Sequence, residues 1–360
     1  MTSYKNQSAE LEKFLFQVLE TDASDLHLVA GKPPIIRVDS YLLPLQDHGI
    51  LDGEKIESIV LPILTDFQKE QLDKKRQVDF SYAFKDRARF RINVYYQKGT
   101  LAAAFRHIPS KIRTLEELNL PSDLANFIQH RQGLVLFVGP TGHGKSTTLA
   151  ALIDIVNHTR AEHIITIEDP IEYLFTQDKS IISQREVFQD TEGFAPAIRA
   201  TLREDVNVVM VGEMRDLESI ATTITVAETG HLVFATLHTN DAPQSVDRII
   251  DVFPAHQQNQ IRSQLSSILV GVVSQRLLPR VGGGRVAAVE IMISNNAVRN
   301  VIREGKTYEL QNIIHTSSGE GMIGLDRTLA DLVRKGLIKL EDGLAYANHQ
   351  ELFQSLVKRF

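Results

Sequence analysis

The 360-residue chain contains neither cysteine nor tryptophan. Without thiols it can build no disulfide framework, thiolate zinc site, iron–sulfur cluster or cysteine nucleophile. It has no apolar run of the roughly 18 residues that a membrane helix needs, so direct membrane insertion is not expected. The opening stretch, MTSYKNQSAELEKFLFQVLE, is charged where a signal peptide is apolar, which points to a cytoplasmic protein. A basic excess is also missing: Lys+Arg 39 stand against Asp+Glu 45, for a net charge of −6. Binding to a phosphate backbone usually leaves a surplus of positive charge, so no nucleic acid partner is expected. Low-complexity segments and internal repeats are lacking too. What remains is an ordinary globular composition, 43% hydrophobic and 23% charged, over a length that suggests two or three domains.

The pattern changes along the chain. Leu11, Phe14, Leu15, Val18 and Leu19 have helical spacing. Strand-like runs follow at Leu26–Val29 and Ile35–Leu45, then one or two helices over 53–74. Phe80–Phe84, Ala88–Tyr96 and Leu101–Ile108 read as antiparallel strands with short turns. This region reads as a small α+β domain over 1–117, with a hinge at 109–113. Up to Glu117 it holds 17 basic and 17 acidic residues; the remainder holds 22 and 28, so the whole −6 lies there. In 118–360 short apolar strands alternate with helices. Leu134–Val138, Ile164–Ile167, Val208–Val211 and Leu232–Leu237 are continuous apolar runs, as expected of a mainly parallel sheet covered on both faces. Helices are expected near 146–157, 194–203, 217–228 and 242–251. From about Gln257 the chain reads as mostly helical, interrupted by Gly282-Gly283-Gly284.

Gly139-Pro140-Thr141-Gly142-His143-Gly144-Lys145-Ser146 fits G-x-x-x-x-G-K-[ST] in full, between an apolar strand and a helix that continues through Thr147. Glycines let the backbone wrap phosphate oxygens, and successive N–H groups form an anion nest at a helix N-terminus. Lys145 would reach the outer phosphates and Ser146 would ligate Mg²⁺. The N-K-x-D motif that reads guanine is absent, which favours ATP. A nucleoside triphosphate site alone leaves kinase, GTPase, motor and recombinase open.

Two apolar strands end in acids, giving Glu168-Asp169-Pro170-Ile171-Glu172 and Gly212-Glu213. In an open parallel sheet, ligands sit beyond the carboxyl ends of strands. Phosphoryl transfer needs one carboxylate to activate water and another to hold Mg²⁺. Glycine stands where a second Walker strand usually carries Asp, which suggests that Glu213 contacts the metal through water. His238 lies at the carboxyl end of its strand, where a γ-phosphate sensor would sit. His231 lies at the start of the same strand, too far for that role. In the first domain Arg89 and Arg91 share one strand face, with Arg87 and Arg106 nearby. They are either exposed strand arginines paired with acids or arginine fingers that reach a nucleotide.

These residues resemble the type IV pilus retraction ATPases, the PilT family within the secretion ATPase superfamily. The matching stretches are GPTGHGKSTTLAA (139–151), HIITIEDPIEY (163–173), SQREV (183–187), LRED (202–205), VGEMRDLE (211–218), AETGHLVFATLHT (227–239), RIIDVFP (248–254) and GGGRVAAVEIM (282–292). SDLHL (24–28), PPIIRVD (33–39) and RFRINVYYQ (89–97) match in the first domain, so the likeness runs along nearly the whole chain. Ala297–Glu304 resembles the family's AIRNLIRE signature, tied to retraction, with Val298 and Val301 as mild exchanges. His143 replaces the commoner Ser and would face outward; Val206-Asn207 replaces Pro-Asp.

The resemblance implies an N-terminal PAS-like domain, a RecA-like ATPase domain with a helical C-terminal part, and a homohexamer. It implies ATP with Mg²⁺, Glu172 as the base that activates water, and Glu213 as the atypical Walker B glutamate. It places His231 and His238 in a His box and has Arg91 and Arg106 reach bound nucleotide. The expected work is pilus retraction at an inner-membrane platform protein, which would hold the chain peripherally at that membrane. Extension ATPases usually carry a further N-terminal region and a tetracysteine zinc site, neither of which is found here. A RecA-like nucleic-acid motor and an accessory pilus or secretion ATPase are the alternatives.

Overall fold

The structure, a computed structural model, describes residues 9–38, 41–85, 87–108 and 111–358. It divides into two compact units, Met1–Lys111 and Ile112–Phe360, a division that falls ahead of the boundary expected at Glu117. Of the expected hinge, residues 109–110 lie outside the described residues.

In the first unit the apolar stripe of α1 (Ala9–Glu20) buries Leu11, Phe14, Leu15 and Val18. α2 (Gly53–Val60) is capped by Asp52, and α3 (Asp66–Lys75) opens on a capping box between Thr65 and Gln68. The sheet has the order β3-β2-β1-β6-β5-β4 and is antiparallel throughout. Its strands are β1 (Asp25–Leu28), β2 (Ile35–Val38), β3 (Tyr41–Pro44), β4 (Gln77–Phe84), β5 (Ala88–Gln97) and β6 (Thr100–Ile108). The single run expected over Ile35–Leu45 is thus two paired strands. In β5 the alternation is clean: Phe90, Ile92 and Val94 are buried, while Arg89, Arg91 and Asn93 are half-buried on the other face.

The second unit is built on a seven-stranded sheet, order β13-β12-β7-β11-β10-β8-β9. The strands are β7 (Gly133–Val138), β8 (His163–Glu168), β9 (Ile181–Glu186), β10 (Val208–Val211), β11 (Leu232–Leu237), β12 (Leu269–Pro279) and β13 (Arg285–Ile293). All neighbours are parallel except β12 and β13. The expected α/β class with a mainly parallel sheet is therefore the class found. The strands are apolar on both sides because both sides are covered. Leu134, Leu136 and Val138 of β7 join one core with α6 (Leu217–Glu228), α7 (Ala242–Asp251) and α8 (Ala255–Ile268). Val135 and Phe137 join another with α4 (Lys145–Thr159). α5 (Phe194–Thr201) lies on the first of these faces.

The C-terminal region corrects one expectation. What reads as mostly helical from Gln257 contains β12 and β13, an antiparallel hairpin whose loop carries Gly282, Gly283 and Gly284, all at positive φ. α8 runs straight into β12 with no glycine or proline between Ile268 and Leu269, so nothing local marks the change. Helices return with α9 (Asn296–Glu304), α10 (Leu310–Thr316), α11 (Leu325–Arg334), α12 (Leu340–Tyr346) and α13 (Gln350–Lys358).

Asn157, fully buried in α4, holds down the segment that leads from β8 to β9. Its Nδ2 donates to the Thr176 carbonyl (2.8 Å) and its Oδ1 accepts from the Asp178 N–H (3.1 Å). Asn157→Leu keeps the volume but strips both partners, at a cost of about 2–4 kcal/mol. A calorimetric scan is expected to show the unfolding midpoint fall by several degrees; an unchanged midpoint would contradict this anchoring role.

Candidate active site

The phosphate loop leaves β7 at Val138 and enters α4 at Lys145. Gly144 caps α4 in the left-handed conformation (φ 82°), and no side chain caps the helix. The first N–H groups of α4, with the helix dipole behind them, are thus presented at the loop. A Cβ at Gly144 would stand 2.8 Å from Gln275 Nε2, so glycine answers both the backbone angle and the close approach. An uncapped helix start framed by glycines fits a phosphate group.

Lys145 is buried, and its Nζ donates to the carbonyls of Gly139 (2.7 Å) and Pro140 (3.0 Å). Burial lowers its pKa, while the charges of Glu213 and Glu172 act to raise it. Both carboxylates therefore lie within electrostatic reach of the loop lysine. Ser146 and Thr147 follow in the first turn, where the Thr147 hydroxyl meets the Tyr173 hydroxyl at 2.8 Å.

The loop is gripped from β12. Gln275, buried in that strand, donates through Nε2 to the His143 carbonyl (2.9 Å) and accepts through Oε1 from the Thr148 hydroxyl (2.8 Å). His143 was expected to face outward; instead its Nδ1 accepts the Leu277 N–H at 3.0 Å. Its ring is held against β12, and burial, with Arg276 and Lys145 nearby, lowers its pKa.

Glu213 follows β10. The Met214 N–H donates to the Thr236 carbonyl (3.1 Å) and the Thr236 hydroxyl to the Gly212 carbonyl, so β11 fixes the Glu213 backbone from both sides. Two donors converge on Glu213 Oε1: Arg215 Nε at 2.7 Å and His238 Nε2 at 3.1 Å. Burial acts to raise the Glu213 pKa, but Arg215 and His238 outweigh it and hold it below the ordinary value. With Nε2 of His238 turned to Glu213, Nδ1 faces the Thr141 hydroxyl (3.3 Å) and Lys145 Nζ (3.5 Å). His238 thus spans from Glu213 to the phosphate loop.

Gly212 stands in place of the usual Asp. A Cβ there would lie 3.0 Å from the Ile167 carbonyl oxygen and 3.3 Å from Glu168 Cα, so a side chain would be accommodated only if β8 gave way by a few tenths of an ångström. Glu172 sits in the loop after β8, exposed, with its N–H donating to Glu168 Oε2 at 3.2 Å.

His238 links the two sides, 3.1 Å from Glu213 and 3.5 Å from Lys145 Nζ, while the charges of Glu213 and Glu172 act on Lys145. His231, a His-box residue by the resemblance, is not brought to them within this chain. It stands at the opposite end of β11, about 20 Å away at the extended rise, with Nδ1 on the Val226 carbonyl (3.0 Å). Arg91 and Arg106 lie opposite each other on β5 and β6. Arg91 is paired with Asp79 (2.6 Å) and Arg106 with Asp25 (3.0 Å). Sequence reasoning missed Gln275 and Tyr173 as site-forming residues and gave Glu168 no role. Gln275 lies in the strand read as helix, and a lone glutamine carries no motif.

The known proteins agree with this geometry. The description "Type II/IV secretion system protein" matches residues 8–341. The type IV pilus retraction ATPase PilT of Pseudomonas aeruginosa is 47% identical over 335 residues, covering 92% of this chain and 96% of that protein. The chain belongs to the PilT family of type IV pilus retraction ATPases. The pilus ATPase PilU of the same bacterium is 38% identical, over 97% of this chain and 91% of its own. A crystal structure of the pilus retraction motor PilT with bound ADP matches with a TM-score of 0.89 at 45% identity, covering 96% of this chain and 99% of that one.

Gln275→Ala would free the His143 carbonyl and the Thr148 hydroxyl together. Titration with a fluorescent nucleotide is expected to show affinity lowered about tenfold, the scale of one or two lost hydrogen bonds. Unaltered affinity would show that β12 does not hold the loop.

Proposed function

We propose that the protein is a ring-forming ATPase, a homohexamer, whose ATP hydrolysis drives pilus retraction, that is, pilin depolymerisation and twitching motility. The observation that carries this reading is the convergence of Lys145, Glu213, Glu172 and His238 at the carboxyl ends of parallel strands. Its support lies in the end-to-end likeness to a retraction motor whose structure holds ADP.

The phosphate loop N–H groups and Lys145 hold the phosphates. Mg²⁺, when bound, neutralises charge on the outer phosphates. Ser146 and Glu213 would hold it, a hydroxyl and a carboxylate being the hard oxygen donors this ion takes, with Glu213 reaching it through water. Glu172, exposed and close to Lys145, takes the proton of the attacking water at its carboxylate. His238 senses the outer phosphate from its place between Glu213, Thr141 and Lys145.

Arg91 and Arg106 supply the remaining positive charge from the N-terminal domain. The Arg91–Asp79 pair is exposed, and such a pair holds by only about 0–1 kcal/mol, so exchanging that carboxylate for a phosphate is cheap; Arg106 is itself exposed but pairs with the buried Asp25. The chain works as an N-terminal domain to 117 and an ATPase domain from 118, with 109–113 as the hinge. Nucleotide binding closes the hinge and release opens it.

The partner is the inner-membrane platform protein of the pilus, which holds the ring peripherally at the membrane from the cytoplasm. Among the described residues no helix is long and apolar enough to cross a membrane. The complete catalytic set favours a working motor over an accessory subunit.

Glu172→Gln keeps shape and removes the base. It is expected to lower ATP turnover at least 100-fold, the scale of a lost general base, with nucleotide affinity within about twofold of the wild type. Unchanged hydrolysis by this variant would sink the assignment of Glu172.

A further inference from the structure

The segment 169–176, which carries Glu172, forms neither helix nor strand. Its backbone groups must find partners elsewhere. They find them on side chains of the two neighbouring strands. The Ile171 N–H donates to Glu186 Oε2 (3.3 Å) and the Phe175 N–H to Gln184 Oε1 (3.0 Å). The Tyr173 carbonyl accepts from Gln184 Nε2 (2.7 Å), and the Glu172 N–H donates to Glu168 Oε2 (3.2 Å).

Glu168 differs from the others in where it stands. It is the last residue of β8, only 5% exposed, and packed against Gly212, the residue before Glu213. Its second oxygen, Oε1, accepts from the Thr166 hydroxyl at 2.7 Å, and Thr166 is fully buried within β8. One carboxylate therefore ties a fixed strand to the N–H of the residue that does the chemistry. Burial pushes Glu168 up to about 7, and the nearby charge of Glu172 adds to the rise. A buried carboxylate is a costly way to satisfy one hydroxyl and one N–H, and a neutral amide would do that at less expense. Its two oxygens are engaged and screened from solvent, so Glu168 cannot itself serve as the base.

We propose that Glu168 is a positioning residue, which sets the attack geometry of Glu172 by holding its backbone N–H against β8. The proposal rests on the reading of Glu172 as the base. It assigns the first acid of the Glu168-Asp169-Pro170-Ile171-Glu172 stretch a role distinct from that of the last. Misplacing a reacting group by about 1 Å can cost up to 100-fold in rate, so loss of this tie should appear in turnover rather than in affinity.

The test is steady-state ATP hydrolysis by the full-length protein and four variants. Glu168→Ala is expected to lower kcat at least tenfold with KM for ATP within about twofold. Glu168→Gln, which keeps an oxygen for the Glu172 N–H, is expected to recover kcat to within about threefold of wild type. Thr166→Val, isosteric and suited to a strand, frees one carboxylate oxygen and is expected to lower kcat about threefold without moving KM; it carries the test should Glu168→Ala fail to fold. Wild-type kcat in both Glu168→Ala and Thr166→Val would overturn the proposal. So would a Glu168→Gln variant as slow as Glu168→Ala, or a rise in KM that matches the loss of kcat. Glu172→Gln separates the two readings: if it turns over normally the base assignment falls, and if it alone is slow the inference about Glu168 falls by itself.

Discussion

The site depends on one buried amide. Gln275 fixes the phosphate loop from the side, through the His143 carbonyl and the Thr148 hydroxyl, and its amide stands close against Gly144, whose left-handed backbone angle already favours glycine. A phosphate loop must keep its N–H groups unpaired so that they can face a ligand, which leaves it few backbone partners of its own. Its shape must then come from outside. β12 supplies that shape by pairing with β7 in register beside the loop, from Val135 opposite Gly271 to Val138 opposite Ser274. The His143 ring adds a second hold on the same strand through the Leu277 N–H.

The same solution recurs at the carboxyl end of β8. Segment 169–176 has no regular structure, and Glu168, Gln184, Glu186 and Asn157 provide the hydrogen bonds that a helix or strand would otherwise provide. Close packing sets the geometry on the other side. Gly212 lies tightly against β8, and Glu213 carries the carboxylate one residue later, where Arg215 and His238 meet it. The charges are balanced locally: a buried lysine sits among two carboxylates, and a carboxylate sits under a guanidinium and an imidazole. Such an arrangement orients each group before a triphosphate arrives.

Much of this was legible in the residue order. The strands β7, β8, β10 and β11 stand out as unbroken apolar runs because both of their faces are buried. The phosphate loop and the two acidic strand ends announce themselves by spacing, and they do meet. Three things were hidden. β12 follows α8 with no turn residue between Ile268 and Leu269, so periodicity could not separate helix from strand. β9 has a mixed polar pattern, since Ser183, Gln184 and Arg185 face loops and solvent rather than a core. Gln275 and Tyr173 act through tertiary contacts, and contact across more than a hundred residues, as between Gln275 and His143, leaves no local signature; Glu168 bonds to near neighbours, but only its burial distinguishes it from a solvated strand-end acid. The arginines were open in the sequence, and within the N-terminal unit Arg91 and Arg106 are indeed paired with acids.

This chain turns ATP hydrolysis into pilus retraction. The direct measurement is to delete the gene in its host, label the pili, and follow single pili under the microscope. The account predicts pili that still extend but no longer withdraw, with withdrawal restored when the chain is expressed again. Withdrawal at the normal frequency and speed in the deletion strain would contradict it.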